Sequence, residues 1–437
     1  MLKRKITDKL LEWKTESNKP CLLIKGARQV GKTFIIDSFA KENYENYLYV
    51  NFEFYPEYRS IFDGNLDFKT LRFKLEATFP NVNFVPEKTV LFLDEIQACP
   101  NARVALKAFA LNGAFDVIAS GSLLGLSYKD ISSYPVGYER VIELAPLDFE
   151  EFLWGAGFKA DLIAIAREAF VQKKELNQYL IDRFAEQFKY YTLVGGMPKI
   201  VDTFFTSNSL SKVLQMQRAL IENYMTDIAK YAKQSDKPKI NKCFLSIPSQ
   251  LAKKNKKFAY TDIDGGKPNN GARQYENSLD WLRDAGIVHY CYNLNEPAIP
   301  LISNIKLDCF KVYMRDTGLL IAMLESGVQR AIMEQDFYIN EGGIVENICA
   351  AEIAARYERI MYFDRKSRLE IDFVLNIDGL AAAIEVKSGG NTKAKSLDSI
   401  IENYKTVKRY IKFEKNCNIY VDEKNIEHYP LFMIMFL

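Results

Sequence analysis

Apolar and polar positions along the chain alternate between short continuous apolar runs and longer amphipathic stretches. Residues 3–15 set Ile6, Leu10, Leu11 and Trp13 among charges, as an amphipathic helix does. Cys21-Leu22-Leu23-Ile24 is short and wholly apolar and predicts a buried strand, followed by Phe34, Ile35, Ile36, Phe39 and Ala40 at near-helical spacing. Residues 46–54 (NYLYVNFEF) are aromatic and β-branched and predict a second strand, and residues 66–79 a helix. Three more apolar runs read as strands: residues 89–93 ending on Asp94 and Glu95, residues 116–122, and residues 140–144. Such alternation implies a parallel sheet covered on both faces. From Asp148 to about Tyr231 the pattern turns helical, with Phe149, Phe152, Leu153 and Trp154 in one cluster and Leu162, Ile163, Ile165 and Ala166 in another; Gly195-Gly196-Met197-Pro198 breaks the run. Residues 244–251 and 271–285 predict two further helices and residues 287–292 a strand, a winged-helix order. Residues 311–320 read as a strand-to-helix link that serves packing. A helix over 342–356 and strands over 371–375 and 380–387 close the pattern.

Chemistry enters at Gly26-Ala27-Arg28-Gln29-Val30-Gly31-Lys32-Thr33, which reads G-x-x-x-x-G-K-T between a predicted strand and a predicted helix. This is the phosphate-binding loop of P-loop NTPases. Successive N–H groups and the helix N-terminus meet phosphate, with Phe34 next in line, and glycine lets the backbone approach. Lys32 is expected to reach the β- and γ-phosphates of ATP and Thr33 to bind Mg²⁺. Asp94 at a strand end fits the magnesium shell, and Glu95 fits the base that polarises water. Ser120 or Ser122 fits a γ-phosphate sensor, or else a plain strand-to-loop turn. Arg140 fits an arginine finger on a neighbouring subunit, or else a surface arginine. The helical stretch fits a lid over nucleotide.

Near the end, Asp372 lies thirteen residues before Glu385, and Glu385-Val386-Lys387 closes a strand. Across a hairpin Asp372 and Glu385 share one sheet end, and the period of two sets Lys387 beside Glu385. With helical Glu346 this is the Asp…Glu-x-Lys pattern of metal-dependent nucleases: Glu346, Asp372 and Glu385 as Mg²⁺ ligands, Lys387 on the water or phosphorane.

At 437 residues the chain is too long for one core, and its composition is ordinary for a globular protein. The net charge of +2 hides an uneven spread: residues 233–273 carry ten basic and three acidic side chains. Lys253, Lys254, Lys256, Lys257 and Arg273 are therefore candidate DNA contacts, with Asn269, Asn270, Gln274 and Asn277 near the start of a recognition helix. A solvated basic face or a protein-binding winged helix is the other reading of this stretch. No apolar run nears a membrane span, and the start of the chain lacks a secretory core, so a cytoplasmic, membrane-free protein is expected. Seven scattered cysteines and two histidines offer no zinc pattern and read as free thiols.

Nearly the whole chain resembles a prokaryotic group of AAA-type ATPases that join an AAA domain to a C-terminal domain similar to the PD-(D/E)XK nucleases. The resembling segments are GARQVGKT (26–33), LFLDEIQ (91–97), SGSLLG (120–125), PLDFEEFL (146–153), LVGGMP (193–198) and VYMRDTGLL (312–320). Glu346-Asn347, Ile371-Asp372-Phe373 and Ile384-Glu385-Val386-Lys387-Ser388 complete them. The resemblance implies an α/β multidomain fold: an AAA/ASCE-type P-loop parallel sheet (1–147), a helical lid (148–232), a winged helix (233–330) and a restriction-endonuclease-like α/β domain (331–437). Two functions are compatible with it. One is an ATPase, possible homo-oligomer included, that gates a nuclease on DNA; the other is a nucleotide-dependent switch whose nuclease-like domain only docks DNA or protein.

Overall fold

The computed structural model describes residues 2–122, 135–265, 272–334, 341–365, 369–388, 395–415 and 417–437. Asn269 and Asn270 and the side chain of Arg273 lie outside the described residues, as does the second half of SGSLLG. The chain divides into two compact units: Lys3–Ala145 with Asp284–Gly286, and Pro146–Arg283 with Ile287–Leu437.

The first unit holds α1 (Ile6–Thr15), β1 (Cys21–Gly26), α2 (Lys32–Asn43), β2 (Asn46–Asn51), α3 (Phe68–Thr78), β3 (Thr89–Asp94), α4 (Pro100–Asn112), β4 (Asp116–Ser122) and β5 (Glu139–Glu143). Its sheet runs in the order β2-β3-β4-β1-β5, every pair parallel. Alternate strand positions explain why the strands read as unbroken apolar runs. Cys21, Leu23, Leu91, Leu93, Val117 and Ala119 join the core built with Leu71 and Leu75 of α3 and Leu106 and Phe109 of α4. Leu22, Ile24, Val90, Phe92 and Ile118, which point the other way, are just as buried. Leu11, expected on the apolar stripe of α1, is exposed instead. Because β4 is inserted between β1 and β3, the carboxyl end of β4 lies between the phosphate loop and Asp94.

The second unit opens with α5 (Phe149–Gly155), fixed by a capping box in which Asp148 accepts from Glu151 N–H and Glu151 from Asp148 N–H. Then come α6 (Ala160–Gln172), α7 (Gln178–Val194), α8 (Pro198–Ser207), α9 (Leu210–Tyr231), α10 (Lys237–Leu251) and α11 (Ala272–Asp284). β6 (Val288–Leu294), β7 (Ile305–Met314), α12 (Thr317–Ala322), α13 (Val328–Glu334), α14 (Glu341–Ala354), β8 (Ile360–Asp364), β9 (Glu370–Ile371), β10 (Phe373–Ile377) and β11 (Leu380–Lys387) follow. α15 (Lys395–Asn403), β12 (Val407–Glu414), β13 (Tyr420–Val421) and β14 (Ile426–Pro430) complete it. One sheet has the order β10-β11-β12-β14-β13 and the other β7-β6-β8-β9. The second sheet draws strands from two of the expected domains. β6 and β7, foreseen as part of a winged helix, form half of a four-stranded sheet in which β6 pairs parallel with β8. The sheet thus spans the expected boundary between 330 and 331. Glu352 of α14 reinforces the point: it is fully buried and accepts the Phe149 N–H at the start of α5, 2.9 Å away and 203 residues earlier.

The LVGGMP and MRDTG segments meet in one knot. Asp316 caps α12 through Leu319 N–H (2.9 Å) and also accepts Gly196 N–H (2.7 Å). Gly196 C=O accepts Leu147 N–H at 2.7 Å, and Tyr191 Oη donates to Leu147 C=O at 2.8 Å. Burial outweighs these donors and pushes the Asp316 carboxyl up to about 6. Gly195 has φ +75°, and a Cβ there would overlap the Asp316 carboxylate. Gly157 has φ +81° with open space around it. Gly157→Ala should thus cost only the left-handed strain, about 1 kcal/mol, and Gly195→Ala about 2–4 kcal/mol. Urea unfolding of the two variants checks this; equal losses would show that the knot can yield.

Candidate nucleotide site and a C-terminal charge cluster

β1 delivers the chain into the loop and α2 takes it out. Gly31 turns the corner at φ +91° and Gln29 sits at φ +64°. A Cβ on Gly26 would overlap Leu144 C=O, so this glycine admits a neighbouring backbone as well as phosphate. Lys32 is buried, and its ammonium donates to Gly26 and Ala27 C=O at 3.0 Å each. Burial pulls its pKa down, against the pull of Glu95 and Asp94. Val30 is buried, while Phe34 is exposed. Arg4, which sequence reasoning passed over, donates to Val30 C=O (3.3 Å) and Ala145 C=O (2.7 Å), so it ties the loop to the chain beyond β5.

Asp94 is the hub. Its Oδ2 accepts from Thr33 Oγ1 (3.1 Å), Tyr49 Oη (2.9 Å) and Asn51 Nδ2 (3.0 Å), and its Oδ1 from Ser120 Oγ and Glu95 N–H (3.1 Å). Tyr49 and Asn51 were missed by sequence reasoning, yet the register sets Asn51 of β2 beside Asp94. Ser120, a sensor candidate, is committed to Asp94; Ser122 lies one strand period further on, buried beside Gly26 in the register. Glu95 follows at φ +53°, takes a hydrogen bond from Gln97, and is pushed up by burial. Arg140 pairs with Leu22 near the amino end of β1, the end opposite the loop, and both its Nη atoms bind Glu16 at 2.7 Å.

The chemistry of this donor set fits the expected groups. Loop N–H groups and Lys32 would hold phosphate, and Thr33 and Asp94 would hold Mg²⁺.

Residues 18–153 match the AAA domain family. Residues 185–330 and 341–434 match two families described as domains of unknown function, DUF8612 and DUF4143. An uncharacterized protein of Methanocaldococcus jannaschii is 27% identical over 199 residues, which are 45% of this chain and 40% of that relative's length. Among solved structures, the Aeropyrum pernix Orc1 protein in complex with DNA is 12% identical, with 76% of this chain and 91% of that one covered at a TM-score of 0.29. The Thermotoga maritima RuvB Holliday junction branch migration motor is 15% identical, with 66% and 89% covered at a TM-score of 0.29. AMPPCP-bound DnaA from Aquifex aeolicus is 12% identical, with 64% and 86% covered at a TM-score of 0.27. The G-x-x-x-x-G-K-T loop and the strand ending on Asp94 both lie within the stretch that matches the AAA domain family. Among the described residues no helix is long and apolar enough to cross a membrane, and the seven cysteines are free.

The C-terminal candidates meet as the hairpin required. β10 and β11 pair antiparallel with Phe373 opposite Ile384, which sets Asp372 opposite Glu385, and Lys387 bonds Glu385. Val386 N–H donates to Asp372 at 2.8 Å. Glu346 on α14 joins them, but in unexpected company. Lys311 of β7 is fully buried and lies 2.6 Å from Glu346 and 2.8 Å from Glu370. Lys256 reaches the other Glu346 oxygen at 2.6 Å, and Tyr313 Oη donates to Glu346 as well. Burial pushes Glu346 up, yet Lys311 and Lys256 outweigh it and hold the carboxyl down at about 2. Asp372, half-buried as a residue but turned inward at its carboxyl, is pushed up to about 7 by burial and by Glu346. Residues 311–320, read as packing alone, thus include the central cation of the cluster.

A resident divalent ion does not fit this arrangement. Among the described residues no three His, Cys, Asp or Glu side chains gather as a metal site, and lysine ammonium groups already meet Glu346 and Glu385. Of the expected Mg²⁺ ligands, Glu346 and Glu385 meet ammonium groups and Asp372 accepts Val386 N–H. Of the expected DNA lysines, Lys256 pairs with Glu346 and Lys257 with Asp364, whereas Lys253, paired with Asp262 at the surface, and Lys254 are exposed.

The raised pKa of Asp372 has a definite sign. Its folded value lies above the unfolded one, so its stabilising contribution is complete below the ordinary carboxylate range and is lost as pH rises through about 7. Asp372→Asn stays neutral, so between about pH 4 and 7 wild type should lose stability relative to this variant. Urea midpoints across that range measure it; parallel curves would mean that Asp372 titrates normally.

Proposed function

We propose that this chain is a Mg²⁺-dependent ATPase that works as a nucleotide-driven binding switch with DNA as its partner, its C-terminal charge cluster being closed to metal as described. The observation that carries the ATPase reading is the 3.1 Å bond from Thr33 to Asp94, with Lys32 held in the loop and Glu95 beside it. Bound Mg²⁺ would offset phosphate charge. Thr33 and Asp94 orient it, the loop N–H groups and Lys32 bind and align the phosphates, and Glu95 takes the proton of the attacking water. Burial makes Glu95 a better proton acceptor than an exposed carboxylate, and Gln97 fixes its direction. With Ser120 bound to Asp94, Ser122 is left as the sensor candidate. A homo-oligomer in which Arg140 serves a neighbour's phosphate would have to break its pair with Glu16.

The switch reading is favoured over an ATP-gated nuclease by the lysines that meet Glu346 and Glu385. Lys32→Ala should abolish ATP binding, whereas Glu95→Gln should keep binding and lower turnover by about 10²–10⁴-fold. Equilibrium binding and phosphate release separate the two steps; unimpaired turnover in Glu95→Gln would reassign the base.

The DNA reading rests on the basic stretch, whose exposed members include Lys233 and Lys254. Replacing these two should reduce the salt slope of duplex binding by ~0.9 per lost phosphate contact. Replacing Lys256 and Lys257 should leave the slope unchanged and lower stability instead. The opposite pattern, read from affinities across a salt series, would return the phosphate contact to the paired lysines.

A further inference from the structure

Residues 229–254 hold seven lysines against one acid, Asp236. α10 runs through the middle of this stretch, and its sequence, KPKINKCFLSIPSQL, contains no carboxylate. Ile240, Cys243, Phe244, Ile247 and Leu251 turn its apolar face into the core. On the other side Lys239, Lys242, Ser246, Ser249 and Lys253 recur at steps of three, four, three and four, the spacing of one helix face. None of the five is buried. Ser246 and Ser249 donate back to the carbonyls of Cys243 and Ser246 at 2.8 Å, so the lysines supply the only charge on this face. Lys253 is taken up by Asp262. Lys239 has no ion-pair partner among the described residues, and neither has Lys233 before the helix or Lys254 after it.

α11, the helix expected to meet bases, carries the opposite charge. Glu276, Asn277 and Asp284 are exposed on it. Arg283 is committed: it lies 2.8 Å from Asp280 and over the Tyr290 ring, 5.1 Å from its centroid. Asp280 also accepts from Tyr290 Oη at 3.1 Å. A phosphate brought to this face meets carboxylates, and like charge across an interface is repelled.

We propose that the Lys239–Lys242 face of α10, extended by Lys233 and Lys254, is the DNA-binding surface, and that it follows the phosphate backbone without reading bases. The assignment rests on DNA being the partner, as proposed above, and moves the contact from α11 to α10. Between Lys239 and Lys253 the helix rises about 20 Å at ~1.5 Å per residue. Phosphates follow one another at ~3.4 Å along the axis of each strand, so lysines spread over the face meet separate phosphates. An ammonium on a flexible stem acts as a point charge, which positions a backbone and carries little base information.

Fluorescence anisotropy of the full-length protein with a short labelled duplex, across a salt series and with and without ATP, tests it. Lys239→Gln with Lys242→Gln should lower the magnitude of the salt slope by ~0.9 for each lysine lost. Lys239→Arg with Lys242→Arg should restore the slope. Gln274→Ala with Asn277→Ala on α11 should bind as wild type, and two duplexes of unrelated sequence should bind alike. The single glutamine variants, each lowering the slope by ~0.9, carry the test if the pair melts early. An unchanged slope in the α10 variants, with affinity lost in the α11 pair, would overturn the assignment and leave DNA as the partner. Wild type that shows no salt-dependent duplex binding in either nucleotide condition would remove DNA and this surface together. A polyglutamate peptide released by the α10 variants while duplex binding stays intact would give the face to an acidic protein and overturn the assignment.

Discussion

A charge taken out of water must be met inside the protein, and that constraint decides where the elements of both units come together. In the first unit the charge is Asp94, which collects donors from α2, β2, β4 and the turn after β3. In the second it is the Lys311 ammonium, fully buried, which draws α14 and β9 to β7 through Glu346 and Glu370. Moving any of these strands by one residue would turn the charge away from its partners.

The two hubs solve the problem with different chemistry, and the difference bears on function. Asp94 is met by hydroxyl, phenol, amide and backbone N–H groups, which orient the carboxylate without cancelling it. Glu346 is met by two ammonium groups, which cancel it and leave a cation little to gain. The same residue type at a strand or helix end thus meets neutral donors in one unit and ammonium groups in the other.

What could be read from the sequence was whatever is encoded over a short span. The phosphate loop, the strand ending on Asp94, and the opposition of Asp372 to Glu385 across a hairpin all follow from periodicity and spacing. Lys311 was hidden because its strand, Lys311-Val312-Tyr313-Met314, looks like any apolar run, and its partner Glu346 lies 35 residues on. The partners of the basic stretch were hidden for the same reason. Its excess charge is visible locally, whereas Glu346 and Asp364, which neutralise Lys256 and Lys257, belong to a later part of the chain. The pairing of β6 with β8 is a long-range event of this kind, and no local pattern could have separated it from a winged-helix strand.

The Glu352 carboxylate at the start of α5 bears on inheritance. The family boundaries between 330 and 341 divide the second unit into stretches that can be recognised separately, yet α14 caps a helix that begins at Phe149. A recombinant that took its first two thirds from one relative and its last third from another would join an α5 and an α14 selected in different company. Only exchanges that carry both sides of that bond keep it intact, so the two stretches are expected to travel through evolution as a single heritable piece.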